Sequence, residues 1–322
     1  MHIVTGGAGF IGSGFVYQLN KMGINDILIV DNLGATEKWK NLVNLKFSDY
    51  LHKDDFLLCL ARGDFSGVDS IIHMGACSST TEQDADYLMS NNLHYSQTLA
   101  RFCMENDVRF IYASSAATYG DGSLGFSDDH EAMEGLKPLN MYGFSKQLFD
   151  LWIKKNQYLS RAVGLKFFNV FGPNEYHKED MQSMVRKAYF QIRETGRVRL
   201  FKSYHPQYGH GEQKRDFVYV KDCLEVMAWL LERRDINGIF NLGAGRARTW
   251  NDLAKAVFQA MDMQPEIEYM EMPDELKGKY QYYTCAPMEK LAGAGCPVKF
   301  HSLEEGVSDY VRNYLDREDP YL

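Results

Sequence analysis

The sequence predicts an α/β protein: a doubly wound parallel sheet with a smaller, interleaved α/β lobe. Three observations predict it. Short apolar runs alternate with helical lengths through the first half of the chain. Each run ends in glycine or in small polar residues. The pattern breaks after Gly172-Pro173 and resumes in two later runs. Strands of βαβ units are buried on both faces, so they read as unbroken apolar runs rather than as alternating ones.

The elements follow in order. His2–Thr5 is the first run, with glycines and a helical stretch around Phe15–Leu19 after it. Ile27–Val30 is the second, followed by Asp31-Asn32, and Ser70–Met74 the third, followed by Gly75-Ala76. Phe110–Ala113 leads into Ser114-Ser115, and Val163–Phe168 into Asn169. Ligands of such sheets bind beyond the carboxyl ends of the strands, which puts these following residues on the ligand side. Met184–Glu194 is helical in pattern. Lys202–Gln213, with Pro206, Gly209 and Gly211, is a loop of the length that usually carries function. Phe217–Val220 and Ile239–Leu242 read as strands that return to the sheet. The expected division is 1–172 for the main unit, rejoined by 215–243, and 173–322 for the lobe.

Composition narrows the class. The 322 residues are 45% hydrophobic and 24% charged, which is ordinary globular usage. A net charge of −8 argues against a general nucleic-acid binder. No apolar run approaches the length of a membrane span. Met1–Gly6 enters a strand directly, without the charged leader and apolar core of a signal peptide. The six cysteines are scattered with no C-x-x-C, as expected of reduced thiols in a cytoplasmic protein. No metal-ligand spacing is present, and His205 and His210 lie in a loop without one.

Glycines at 6, 9 and 12 form a G-x-x-G-x-x-G between the first strand and a helix. Glycine lets the backbone approach a pyrophosphate, and the helix N-terminus supplies N–H donors and a positive dipole. Asp31 follows Gly12 at about the spacing of a ribose-binding acid. This is the fingerprint of a Rossmann-type dinucleotide site. Asp31 by itself favours NAD, because a carboxylate repels a 2′-phosphate. Lys38 and Lys53 are available to counter that charge, so NADP and NAD both stay open here.

Tyr142 and Lys146 form a Y-x-x-x-K, which a helix places on one face. A tyrosine is a poor base at neutral pH, and a neighbouring ammonium favours its phenolate. Ser115, just past a strand end, offers a hydroxyl to the reacting oxygen. From Lys178 to Arg215 there are nine basic and four acidic residues, a basic stretch in an acidic chain, suited to an anionic substrate.

Gly6–Gly12 with Ser115 and Tyr142–Lys146 resembles the extended short-chain dehydrogenase/reductase superfamily. Gly75-Ala76-Cys77-Ser78-Ser79-Thr80-Thr81-Glu82, Tyr112–Gly120, Phe168–Pro173 with His177-Lys178, and Lys214–Val220 are similar to ADP-glyceromanno-heptose 6-epimerases. The resemblance runs to about residue 315. It implies an isomerase of lipopolysaccharide inner-core synthesis that inverts C6 of an ADP-heptose by transient oxidation and re-reduction with bound NADP. It implies two opposed bases, Tyr142 and Lys178, and a homo-oligomer, reportedly a pentamer. The implied cofactor contacts are Phe10, Ile11, Asp31, Asn32, Lys38, Lys53, Met74, Gly75, Ala76, Cys77, Ser78, Asn91, Lys146, Val170 and Lys178. The implied substrate contacts are Ser115, Asn169, Phe201, Lys202, Ser203, Tyr204, Arg215 and Tyr280, with Asp180 and Lys187 where other members carry Ser and His. Met74 stands in place of an acidic residue, and the Ser203–Gln213 loop is longer than in some members. Ala116-Ala117 after Ser115 argue against a related dehydratase. A UDP-hexose 4-epimerase and a non-catalytic dinucleotide sensor are the alternatives.

Overall fold

The computed structural model of the protein describes residues 1–277 and 280–322. Its strands are β1 (His2–Thr5), β2 (Ile27–Asp31), β3 (Asp49–His52), β4 (Ser70–His73), β5 (Arg109–Ser115), β6 (Ala162–Phe167), β7 (Asn169–Phe171), β8 (Val198–Phe201), β9 (Lys214–Tyr219), β10 (Gly238–Leu242), β11 (Ala247–Thr249) and β12 (Ile267–Met270). Seven form one sheet in the order β10-β6-β5-β4-β1-β2-β3, and every pair in it is parallel. The order runs outward from β1 in one direction and from β4 in the other. The crevice at the carboxyl ends of β1 and β4 is therefore the switch point where such sheets bind ligands.

The apolar runs have a direct cause. Ile3, Leu28, Ile71 and Phe110 face one core, and their neighbours Val4, Ile29, Ile72 and Ile111 face the other. Both faces are covered by helices, so no polar residue is tolerated at alternate positions. β3 is different. It is the edge strand, none of its residues is fully buried, and its sequence Asp-Tyr-Leu-His carries no apolar run. Sequence periodicity therefore misses it.

Of the two late runs, Ile239–Leu242 lies in β10, beside β6. Phe217–Val220 does not rejoin the large sheet. β9 sits between β7 and β11 in a separate three-stranded sheet, with Asn169 opposite Phe217 and Thr249 opposite Lys214. The chain leaves the large sheet after Phe167, and β7 takes β9 as its partner. β10 then fills the position beside β6. Val220 opens the helix Val220–Glu232 instead of ending a strand. The helix Met184–Thr195 starts at the Ser183 cap and stops at Gly196 in a left-handed conformation. β8 and β12 form a parallel pair beside it. No helix among the described residues is long and apolar enough to cross a membrane.

Candidate active site

The glycine turn is built for a ligand that comes close. Gly6 has φ +65°, and a methyl there would lie 2.6 Å from the Gly75 nitrogen. A methyl on Gly12 would run into the Gly6 carbonyl oxygen. Gly9 precedes the helix Phe10–Lys21 and supplies no side-chain cap, which leaves first-turn N–H groups for an anion. At the end of β2, Asp31 accepts from the Ala8 N–H at 2.9 Å and the Asn32 N–H at 2.7 Å, and pairs with Lys38 Nζ at 2.6 Å. Lys53 donates to Asn91 at 2.8 Å. These residues line a cleft of about 140 Å³ with Gly6, Asn32, Gly75, Ala76 and Cys77. Its cradle and uncapped donors fit a dinucleotide pyrophosphate. Met74 is half-buried beyond β4, its N–H given to Thr5, and Ser78 is exposed.

Sequence reading missed three residues that hold this cleft. Asn92 clamps Cys77 on both sides, accepting from its N–H and donating to its carbonyl at 2.9 Å each, and also donates to Ser145. It lies on the widened helical turn Met89–His94. His73 is buried between Thr5 and Ser96, at 2.6 and 2.7 Å, and burial pushes its imidazole down to about 3, so it is neutral. Asn41 ties Ala8 of the glycine turn to Asn174 at 2.9 and 3.1 Å. The only local signal was polarity inside apolar surroundings.

Asn140 caps the helix Met141–Lys155, whose first turn carries Tyr142. Gly143 lets that turn pack on the chain after Ser115: a methyl there would lie 2.7 Å from the Ala117 carbonyl. Tyr142 and Ser115 are thus brought together. Burial raises the Tyr142 phenol, and a hydrogen bond with Ser115 pulls against it. Lys146 is 3% exposed, and its ammonium donates to the Ala113 carbonyl at 2.8 Å. Burial pushes it down to about 8, with Asp150 countering. The Lys146 ammonium thus points to the strand end beside Ser115, and burial favours the neutral Tyr142 phenol.

Lys178 comes from the other side, on the short turn Tyr176–Met181. Its ammonium lies 5.2 Å from the centre of the Phe10 ring, directly over the start of the glycine-turn helix. Burial lowers it, and Glu175 opposes that. Beside it, burial pushes His177 down to about 4. Ile11 and Val170 are half-buried nearby in sequence to Phe10 and β7. Tyr142 and Lys178 therefore come from separate elements, the helix Met141–Lys155 and the turn Tyr176–Met181.

On the lobe side, Arg215 of β9 is 7% exposed and lies 5.8 Å from the Trp250 ring and 5.2 Å from Tyr280. It has no carboxylate partner among the described residues. Tyr280 accepts from the Trp250 indole at 2.9 Å. Asn169 is exposed at the start of β7, and Phe201 ends β8. Lys202 and Tyr204 both engage Glu271, and Ser203 donates its N–H to His210. Lys187 donates to the Asp180 carbonyl at an exposed position. These last residues satisfy one another locally, whereas Arg215 donates only to the Lys214 carbonyl among the described residues.

The chain belongs to the NAD dependent epimerase/dehydratase family: the family's model matches residues 2–243, which include the glycine turn, Ser115, Tyr142 and Lys178. Its cofactor is a nicotinamide dinucleotide. Within that class, it is 62% identical to ADP-L-glycero-D-manno-heptose-6-epimerase of Nitratidesulfovibrio vulgaris (strain DP4), over 323 residues and all of both chains. The crystal structure of the Helicobacter pylori enzyme of that name is 26% identical, with TM-score 0.81, covering 97% of this chain and 95% of that one. UDP-glucose 4-epimerase of Thermotoga maritima with UDP-glucose is also 26% identical, with TM-score 0.79, covering 98% and 100%.

Proposed function

We propose that the protein epimerises ADP-D-glycero-D-manno-heptose to the L-glycero form at C6, in lipopolysaccharide inner-core synthesis. The observation that carries this is the 62% identity across the whole of both chains. The fold does not choose, because a heptose and a hexose epimerase resemble the chain equally.

Inversion at a carbinol carbon requires hydrogen to leave one face and return to the other. A nicotinamide dinucleotide in the cleft would supply the hydride acceptor and donor; the protein handles the hydroxyl proton. Tyr142 and Lys178 stand on different elements, so each serves one orientation of the sugar. Positioned acid–base groups of this kind contribute about 10²–10⁴ in rate. Burial favours the neutral amine of Lys178, which is the form that takes a proton. Ser115 shares the reacting oxygen, and Lys146 holds the ribose. The cofactor is NADP, held by the glycine turn, with Lys38 neutralising Asp31 beside the 2′-phosphate. Arg215 binds the substrate diphosphate. The enzyme works in the cytoplasm, where its cysteines remain reduced, and as a homo-oligomer, which light scattering of the purified protein tests.

Incubation with ADP-D-glycero-D-manno-heptose, followed by proton NMR at C6, tests the reaction. Formation of the L-glycero epimer is expected. Inertness toward it together with turnover of UDP-galactose would transfer the assignment to a UDP-hexose 4-epimerase.

A further inference from the structure

Gln213 directly precedes β9 and is fully buried. Neither its amide nitrogen nor its amide oxygen has a hydrogen-bond partner among the described residues. Buried polar atoms are nearly always bonded, so an amide with both ends free calls for a partner from elsewhere. Arg215 is two residues on, and alternate residues of a strand share a face. Arg215 and Phe217 both lie against the Trp250 ring, which locates that face, and the Trp250 backbone N–H donates to the Gln213 backbone carbonyl at 3.2 Å. A buried guanidinium without a carboxylate and a buried amide without any bond among the described residues thus lie two residues apart along the chain. The next strand position, Lys214, takes the Tyr282 carbonyl at 2.9 Å. The Tyr282 ring is packed with those of His205 and Tyr208, at 5.0 and 5.6 Å between centres.

We propose that Gln213 is a further substrate-binding residue, whose carboxamide pairs with the base edge of a nucleoside diphosphate while Arg215 holds the diphosphate. The amide offers a donor and an acceptor side by side, as the adenine edge requires, and the tyrosine and histidine rings offer a stacking surface. Gln213 and Arg215 are buried, so a ligand reaches them only with local movement of the chain that covers them. The choice of adenine and the diphosphate role of Arg215 rest on the function proposed above.

Calorimetric titration of the holoenzyme with ADP, and with purine riboside 5′-diphosphate, which lacks the 6-amino group, tests this. The wild type should prefer ADP by about tenfold, the loss expected when a built-in hydrogen bond goes unmade. Gln213→Leu should weaken ADP about tenfold and bring that preference to about one. Its melting temperature should match or exceed the wild type, because an apolar group replaces two unbonded polar atoms. Gln213→Met repeats the test should the leucine variant misfold. Unchanged ADP affinity or an unchanged preference in the variants overturns the inference, as does a wild type that binds neither diphosphate. Loss of ADP preference without heptose turnover in the wild type would instead sink the reaction and keep Gln213 on the base.

Discussion

Replacing Lys146 by methionine should abolish activity and make the ligand-free protein more stable. Lys146 is 3% exposed, and among the described residues its ammonium bonds only the Ala113 carbonyl. Burial brings it from 10.5 down to about 8. That difference of about two and a half units corresponds to about 3 kcal/mol, the cost of keeping the folded lysine charged at pH 7. Methionine removes this cost and leaves the Ala113 carbonyl unpaired, which takes back about 1 kcal/mol. The variant should therefore be about 2 kcal/mol more stable at pH 7. A folded value below the unfolded one means that the cost is complete below pH 8 and disappears as pH rises toward 10.5. At pH 9 about 2 kcal/mol of it remains, so the wild type should gain about 1 kcal/mol on the variant between pH 7 and 9. Urea unfolding of both proteins, freed of dinucleotide, at these two pH values measures it. A variant less stable than wild type at pH 7, or a difference independent of pH, would refute the picture of a buried, strained ammonium held ready for the cofactor.

Other expectations are simpler to check. Gly12→Ala places a methyl against the Gly6 carbonyl, and overpacking of about 1–3 kcal/mol should weaken dinucleotide binding by up to about a hundredfold, read by fluorescence of the reduced cofactor. Tyr142→Phe and Lys178→Met should each reduce epimerisation by about 10²–10⁴ while the melting temperature stays within a few degrees; full activity in either removes that residue from its role. Mass spectrometry of the cofactor released on denaturation should find NADP, and Lys38→Ala should shift binding toward NAD by freeing Asp31 to repel the 2′-phosphate.

Much of the molecule was legible because local sequence reports local burial. Strands covered on both faces must be apolar throughout, so β1, β2, β4, β5, β6 and β10 stand out by composition. Gly12 is required by a backbone contact six residues away, and Tyr142 and Lys146 are placed by one helical turn, whereas Gly6 is also required by its approach to Gly75 across 69 residues. What the sequence could not set is which distant groups meet. The partner of β9 depends on where the chain leaves the large sheet, and Phe217–Val220 is equally apolar for either sheet. β3 is half-solvated and carries no pattern. Asn41 and Asn174 meet across 133 residues, and Asn92 reaches Ser145 across 53. The tertiary structure also determined charge: the fold points the Lys146 ammonium at Ala113 and buries the Tyr142 phenol. Residue types and spacing determined which chemistry is available. Packing alone determined the proton states and the contacts through which that chemistry is used, because both depend on desolvation by groups remote in sequence.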